Sequence, residues 1–149
     1  KRISAGNTLR KEIKAKSKKG KILAKYMNKG KLAPNKIVNK LILKSLPKDN
    51  FIIDGFPRDK RQLKFAKKIN PDKVILLTLP KKEVYKRIKL RKKLECRADD
   101  TNDALETRLK IFYKHSPKII KHFEKKLIKI NGNQSIKKVF RDIVKKLKK

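Results

Sequence analysis

Apolar residues in this chain recur at two spacings, one helical and one extended. Leu9 and Ile13, four apart and preceded by Ser4 as a cap, predict a helix over residues 4–15. Gly20 separates it from a second helix carrying Ile22, Leu23, Tyr26 and Met27, which Gly30 stops. Pro34 fits the first turn of a third helix, where Ile37, Val38, Leu41, Ile42 and Leu46 make one stripe. The pattern then changes. Phe51, Ile52 and Ile53 form a short, bulky run bracketed by Lys48-Asp49-Asn50 and by Gly55 and Pro57, which predicts a strand over 51–54 buried on both faces. A helix through Leu63, Phe65, Ala66 and Ile69 follows, then a second apolar strand, KVILLTL, over 73–79. Pro80 opens a helix with Val84, Ile88 and Leu90, which the polar stretch 91–103 interrupts. Residues 104–125 carry Leu105, Leu109, Phe112, Tyr113, Ile119 and Ile120 in a helix kinked at Pro117. LIKING, 127–132, is a third strand, and Ile136, Val139, Phe140, Ile143, Val144 and Leu147 mark a last helix.

Strands alternating with helices predict an α/β protein with a parallel sheet. Its 149 residues suit a single domain with a real core. The first fifty residues, however, read as helices with no strand before them. A doubly wound sheet normally opens with a central strand and its phosphate-binding loop.

Charge changes the picture more than composition does. Forty-seven Lys and Arg against 13 Asp and Glu leave a net charge of +34. That balance predicts nonspecific, salt-sensitive attraction to polyanions. The lysines run from end to end, and Lys, Ile and Asn share A/T-rich codons, so base composition alone accounts for them. Aromatic residues are sparse and Trp is absent, which argues against a base-stacking surface. Cys96 is the single cysteine. It excludes an intrachain disulfide, fits a reducing, cytoplasmic setting and reads as an idle thiol. With His115 and His122 far along the chain, no Cys/His zinc site is built locally. The apolar run 74–79 is far too short to cross a membrane, and no secretory signal is visible.

The densest chemistry is DGFPR, residues 54–58. A carboxylate at the end of an apolar strand is costly without a partner. The carboxyl ends of parallel strands face the ligand crevice, where Asp54 and Arg58 could serve a phosphate and its metal ion. The plainer alternative is an aspartate capping the turn beside a solvated arginine.

Taken in order, the motifs resemble those of nucleoside monophosphate kinases of the adenylate kinase type. ISAGNTLR (3–10) and YMNKGKLAP (26–34) resemble the start and close of the monophosphate-binding region. DGFPR followed by Gln62 is the most specific match. RIKLR (87–91) and CRADD (96–100) bracket a short lid, 92–98, and Arg108 follows Asp99 by nine residues. INGNQSIKKVFRDI (130–143) resembles the final strand, loop and helix. The resemblance covers nearly the whole chain and implies a P-loop-kinase-like parallel sheet flanked by helices. It also implies Mg²⁺-dependent phosphoryl transfer from ATP to AMP, giving two ADP, by a cytoplasmic monomer that does not engage membranes.

It further implies residue roles. Phosphoryl transfer asks for positive charge held around the migrating group, and arginine supplies it with two donors in a fixed fork. Arg10 and Arg58 would hold the acceptor phosphate. Arg58, Arg87, Arg91, Arg97 and Arg108 would surround the reacting phosphates, with Asp99 orienting the lid arginines. Ser4, Ala5, Met27, Lys31, Ala33, Gly55, Gln62, Arg97 and Arg108 would line the AMP site. Gln134, with Arg87 and Arg91, would contact ATP. Asp54 would hold Mg²⁺ through water.

The sequence departs from the family pattern in three places. Asn7 stands for Asp, and Ala98 for a frequent Lys. No G-x-x-x-x-G-K-[ST] occurs among Gly6, Gly20, Gly30, Gly55 and Gly132. The expectation is therefore an N-terminally truncated chain lacking about 25 residues of the fold, a length that a strand and its loop require. Such a chain would bind ATP poorly, transfer little phosphate and be marginally stable. Gln62 favours adenine, whereas Ala5, where many adenylate kinases have Thr, favours a UMP/CMP kinase. A basic, loop-less module binding nucleic acid is the third reading.

Overall fold

The computed structural model describes residues 1–95, 97 and 99–148. It is α/β and falls into two compact units, Lys1–Asn70 with Ala98–Ile119, and Pro71–Arg97 with Ile120–Lys149.

The first unit opens with a strand that the apolar pattern did not reveal. Strand β1, Arg2–Ser4, pairs in parallel with β2, Ile52–Asp54, setting Ile3 against Ile53 and Ser4 against Asp54. Its one core residue is Ile3, too little for a periodicity signal. Helix α1 (Ala5–Lys14) starts where Ser4 caps it, the Ser4 hydroxyl accepting from the Asn7 N–H. Helix α2 (Lys18–Met27) is capped by Ser17, whose Oγ accepts from the Gly20 N–H at 2.9 Å and donates to Glu12 at 2.7 Å. Ser17→Ala is expected to cost about 1 kcal/mol in urea denaturation, the usual loss of an N-cap. Gly30 ends the segment. Its N–H bonds to the Met27 carbonyl, its φ is +66°, and a Cβ there would lie 2.1 Å from the Ala104 carbonyl oxygen. Pro34 sits just before helix α3 (Asn35–Ser45), at its cap instead of inside its first turn.

Leu23, Val38 and Ile42, with Ile3 and Leu9, form the core between α1, α2, α3 and β1. Helix α4 (Lys60–Ile69) is capped by Asp59 and buries Leu63 and Ala66. Strand β2 differs from expectation. Ile52 is 67% exposed, because β2 pairs only with β1 and only part of its surface is packed.

In the second unit, β3 (Val74–Thr78) pairs in parallel with β4 (Leu127–Asn131) over five residues, from Val74 opposite Leu127 to Thr78 opposite Asn131. The described strands thus form two parallel pairs instead of one continuous sheet, and Ile75 and Leu77 of β3 keep exposed surface. Helix α5 (Lys81–Glu95) does not break at residue 91. Leu, Lys, Arg and Glu all favour helix, so a polar stretch of them extends one. It buries none of its residues, and Leu94 is 74% exposed. Helix α6 (Asn102–His122) contains Pro117, and a 3₁₀ turn, Glu124–Lys126, leads into β4. Helix α7 (Ile136–Leu147), capped by Ser135, lies against β4 but leaves Ile136 and Phe140 exposed.

Candidate active site

Three arginines of the first unit gather around one buried carboxylate. Asp99, 6% exposed, accepts a very short bond from Arg108 Nη2 and pairs with Arg10 Nη1 at 3.6 Å. Arg108 Nη1 reaches the neighbouring Asp100 at 2.8 Å. Arg10 also donates to Asn7 Oδ1 at 2.6 Å, so the residue standing for the expected aspartate still holds this guanidinium as a neutral acceptor. Two of the expected charge partners, residues 99 and 108, are nine apart. Arg10 joins them only through the fold.

Arg58 completes the group. It follows Gly55 and a cis Phe56–Pro57 peptide. Gly55 has φ +76°, and a Cβ there would lie 2.8 Å from Arg58 Nη2, so glycine lets the guanidinium fold back over the backbone. Arg58 Nε donates to the Gly55 carbonyl at 2.8 Å. Although Arg58 keeps an exposed face, desolvation by the surrounding protein atoms pulls its pKa below the usual arginine value. Repulsion from Arg108 and then Arg10 pulls the same way, while Asp54 and Asp99 oppose. The group remains a cation at neutral pH. Cations pressed together in this way favour a multivalent anion between them.

Asp54 is half-exposed and pairs with Arg2 at 2.7 Å through Oδ2. Among the described residues no group of three or more His, Cys, Asp or Glu could hold a metal ion. Such a donor set suits only a hydrated ion such as magnesium that would take its other ligands from phosphates. It does not fit a protein-built metal cage.

Gln62, expected as a base contact, is only 3% exposed. Its Oε1 accepts from the Arg58 N–H at 2.8 Å, and its Nε2 donates to Asn35 Oδ1 at 2.9 Å. Asn35 Nδ2 in turn donates to Asp59 at 2.9 Å. Ser4 and Ala5 stand at the β1–α1 junction; Met27, Lys31 and Ala33 lie at the end of α2 and after it, with Ala5 and Ala33 buried.

The remaining expected residues belong to the second unit. Arg87 pairs with Glu83 at 2.7 Å and donates to the Gly132 carbonyl at 2.8 Å. Arg91 lies on the same helix, α5. The Gln134 side chain donates to Asp142 at 2.6 Å. Arg97 Nε donates to Glu95 at 2.6 Å. Residues 92–95 of the expected lid form the end of α5, whereas Cys96 and Ala98 lie outside the described residues.

Sequence reasoning passed over Asp100, Asn35 and Asp59. For Asp100 a signal existed: two adjacent carboxylates in a chain with only 13 acidic residues. Asp59 carried a local one, an aspartate three residues before Gln62 whose backbone N–H it accepts as the cap of α4, whereas Asn35 carried none, since its partners lie more than twenty residues away.

Residues 1–128 match the family model described as adenylate kinase. The chain is 35% identical to an adenylate kinase of Buchnera aphidicola subsp. Cinara cedri (strain Cc), with 95% of the chain and 82% of that relative covered. It is 34% identical to an adenylate kinase of Azobacteroides pseudotrichonymphae genomovar. CFP2, over 97% of the chain and 82% of the relative. It is also 32% identical to UMP-CMP kinase 1 of Oryza sativa subsp. japonica, over 95% of the chain and 60% of that protein.

Proposed function

The chain belongs to the adenylate kinase family, and on that premise we propose that its first unit binds AMP as the acceptor of a phosphoryl group from Mg·ATP. The observation that carries this reading is the convergence of Arg10, Arg58 and Arg108 around Asp99. Arg10 and Arg58 take the acceptor phosphate. Arg108, held in place by Asp99 and Asp100, offers charge to the phosphoryl group in transit, where fixed dipoles and cations lower the barrier most. Ser4, Ala5, Met27, Lys31, Ala33 and Gly55 shape the acceptor pocket, and Gln62 meets the base.

Arg87, Arg91 and Arg97 supply further charge, and Gln134 contributes to the donor nucleotide's site. Magnesium, when bound, neutralises phosphate charge. Asp54 would orient its water shell. We read the protein as a monomeric cytoplasmic enzyme whose +34 charge brings only nonspecific contact with polyanions. Because residues 1–149 contain no glycine-rich P-loop motif, this chain alone is expected to bind AMP yet bind ATP weakly and turn over slowly.

Ala5 favours a second acceptor class, since a buried alanine offers no hydroxyl to an adenine. Calorimetric titration with AMP and UMP decides between them. Tighter AMP binding is the expected result, and equal or tighter UMP binding would move the assignment to a UMP/CMP kinase.

A further inference from the structure

A side-chain amide can turn over, exchanging its donor and acceptor, unless its neighbours forbid it. The neighbours of Gln62 forbid it twice. The Arg58 N–H demands an oxygen at 2.8 Å, and Asn35 Oδ1 demands an N–H at 2.9 Å. A flipped amide would set N–H against N–H and oxygen against oxygen. Asn35 is itself oriented, because its own Nδ2 is spent on Asp59 Oδ2 at 2.9 Å, leaving Oδ1 to face Gln62. Asp59 closes the circuit by accepting the Gln62 backbone N–H through Oδ1 at 2.7 Å. Every polarity in the relay follows from the carboxylate of Asp59, which can only accept.

We propose that Asn35 is a positioning residue that locks the Gln62 amide in one orientation, and that this lock makes the acceptor site prefer amino bases over oxo bases. The inference rests on the acceptor-site reading given above. An amide has two lone pairs and two N–H groups, so after these two bonds one of each remains. Adenine offers an amino donor at C6 beside a ring-nitrogen acceptor. An oxo base offers the reverse, a carbonyl acceptor beside a ring N–H. A freely turning glutamine serves both patterns equally. A locked one serves only one of them, the amino pattern when the C6 substituent faces Oε1, and the mismatched base then meets two like-facing groups. Selectivity thus resides in a residue that need not touch the nucleotide.

Adenosine and inosine monophosphates test this, since they share the purine shape and reverse the donor–acceptor pattern. In calorimetric titrations of the 149-residue chain, AMP should bind at least about tenfold tighter than IMP, a ratio that two mismatched hydrogen bonds support. In Asn35→Ala the Arg58 N–H alone still orients the amide, so the ratio should fall about threefold, mainly through tighter IMP binding. Asn35→Asp alone should also lose the preference, because two carboxylates then face each other. Adding Asp59→Asn to it should restore the preference, since the relay is rebuilt with the amide and carboxylate exchanged. Asn caps a helix as well as Asp does, so α4 keeps its start.

A second readout needs no ligand. Hydrogen exchange of the Gln62 side-chain amide, followed by nitrogen-15 NMR, should be slow in the native and doubly substituted chains and fast in Asn35→Ala. A native chain that binds neither nucleotide would overturn the acceptor site and the selectivity built on it. Binding with an unchanged AMP-to-IMP ratio in Asn35→Ala, or no restoration in the double variant, would overturn the positioning role alone.

Discussion

Arg58→Ala is expected to lower affinity for AMP about a hundredfold, the loss of one or two charge-assisted bonds to phosphate, while leaving the melting temperature unchanged or raised. The two halves of this result share a cause. Desolvation and the nearby Arg108 and Arg10 pull the Arg58 pKa down. A cation whose folded pKa lies below its unfolded value is held charged at a cost at every pH below the folded value. Neutral pH lies well inside that window, and the cost would lift only in strong alkali. Removing the guanidinium therefore relieves the folded state while depriving the phosphate of a partner. Calorimetry with AMP and thermal melts of both proteins read the two effects separately. A melting temperature lowered by several degrees would mean that Arg58 holds the 54–58 turn together, and the phosphate role would lose its support.

Asp99→Ala should act in the opposite sense, costing about 3 kcal/mol of stability by stripping a buried carboxylate from two guanidinium groups. Asp99 is 6% exposed and shared between Arg108 and Arg10. Asp100 would still hold one end of Arg108, but Arg10 would face Arg58 and Arg108 with less compensation. The lost carboxylate leaves a site for a small anion. Millimolar phosphate should therefore recover more stability in the variant than in the native chain, since a ligand that binds only the folded state stabilises it. Urea denaturation with and without phosphate measures both numbers. Equal phosphate effects in the two proteins would mean that the three arginines do not act as one anion site.

The sequence and the structure agree where the local signal was strong. Ser4 begins a helix, and Gly30 closes a segment with the positive φ that glycine tolerates. Strand β1 was hidden because three residues with one core side chain, Ile3, make no period. Helix α5 was cut short because its outer turns are polar, although their residues are good helix formers. Only the resemblance brought Arg10, Arg58 and Arg108 together in advance; no spacing rule links residue 10 to residue 99. The Asn35–Gln62–Asp59 relay was illegible for the same reason. Its two bonds to Asn35 depend on α3 and α4 lying side by side, which a chain read residue by residue does not contain.

The exposed Ile52, Leu94, Ile136 and Phe140 give the surplus lysines a second meaning. Surfaces this greasy would ordinarily draw copies of a protein together. Molecules carrying +34 repel one another before those patches can touch. That guard weakens as ionic strength rises, since screening shortens its reach to about 3 Å in molar salt. For this chain, basicity is expected to act as a colloidal buffer against association through those patches.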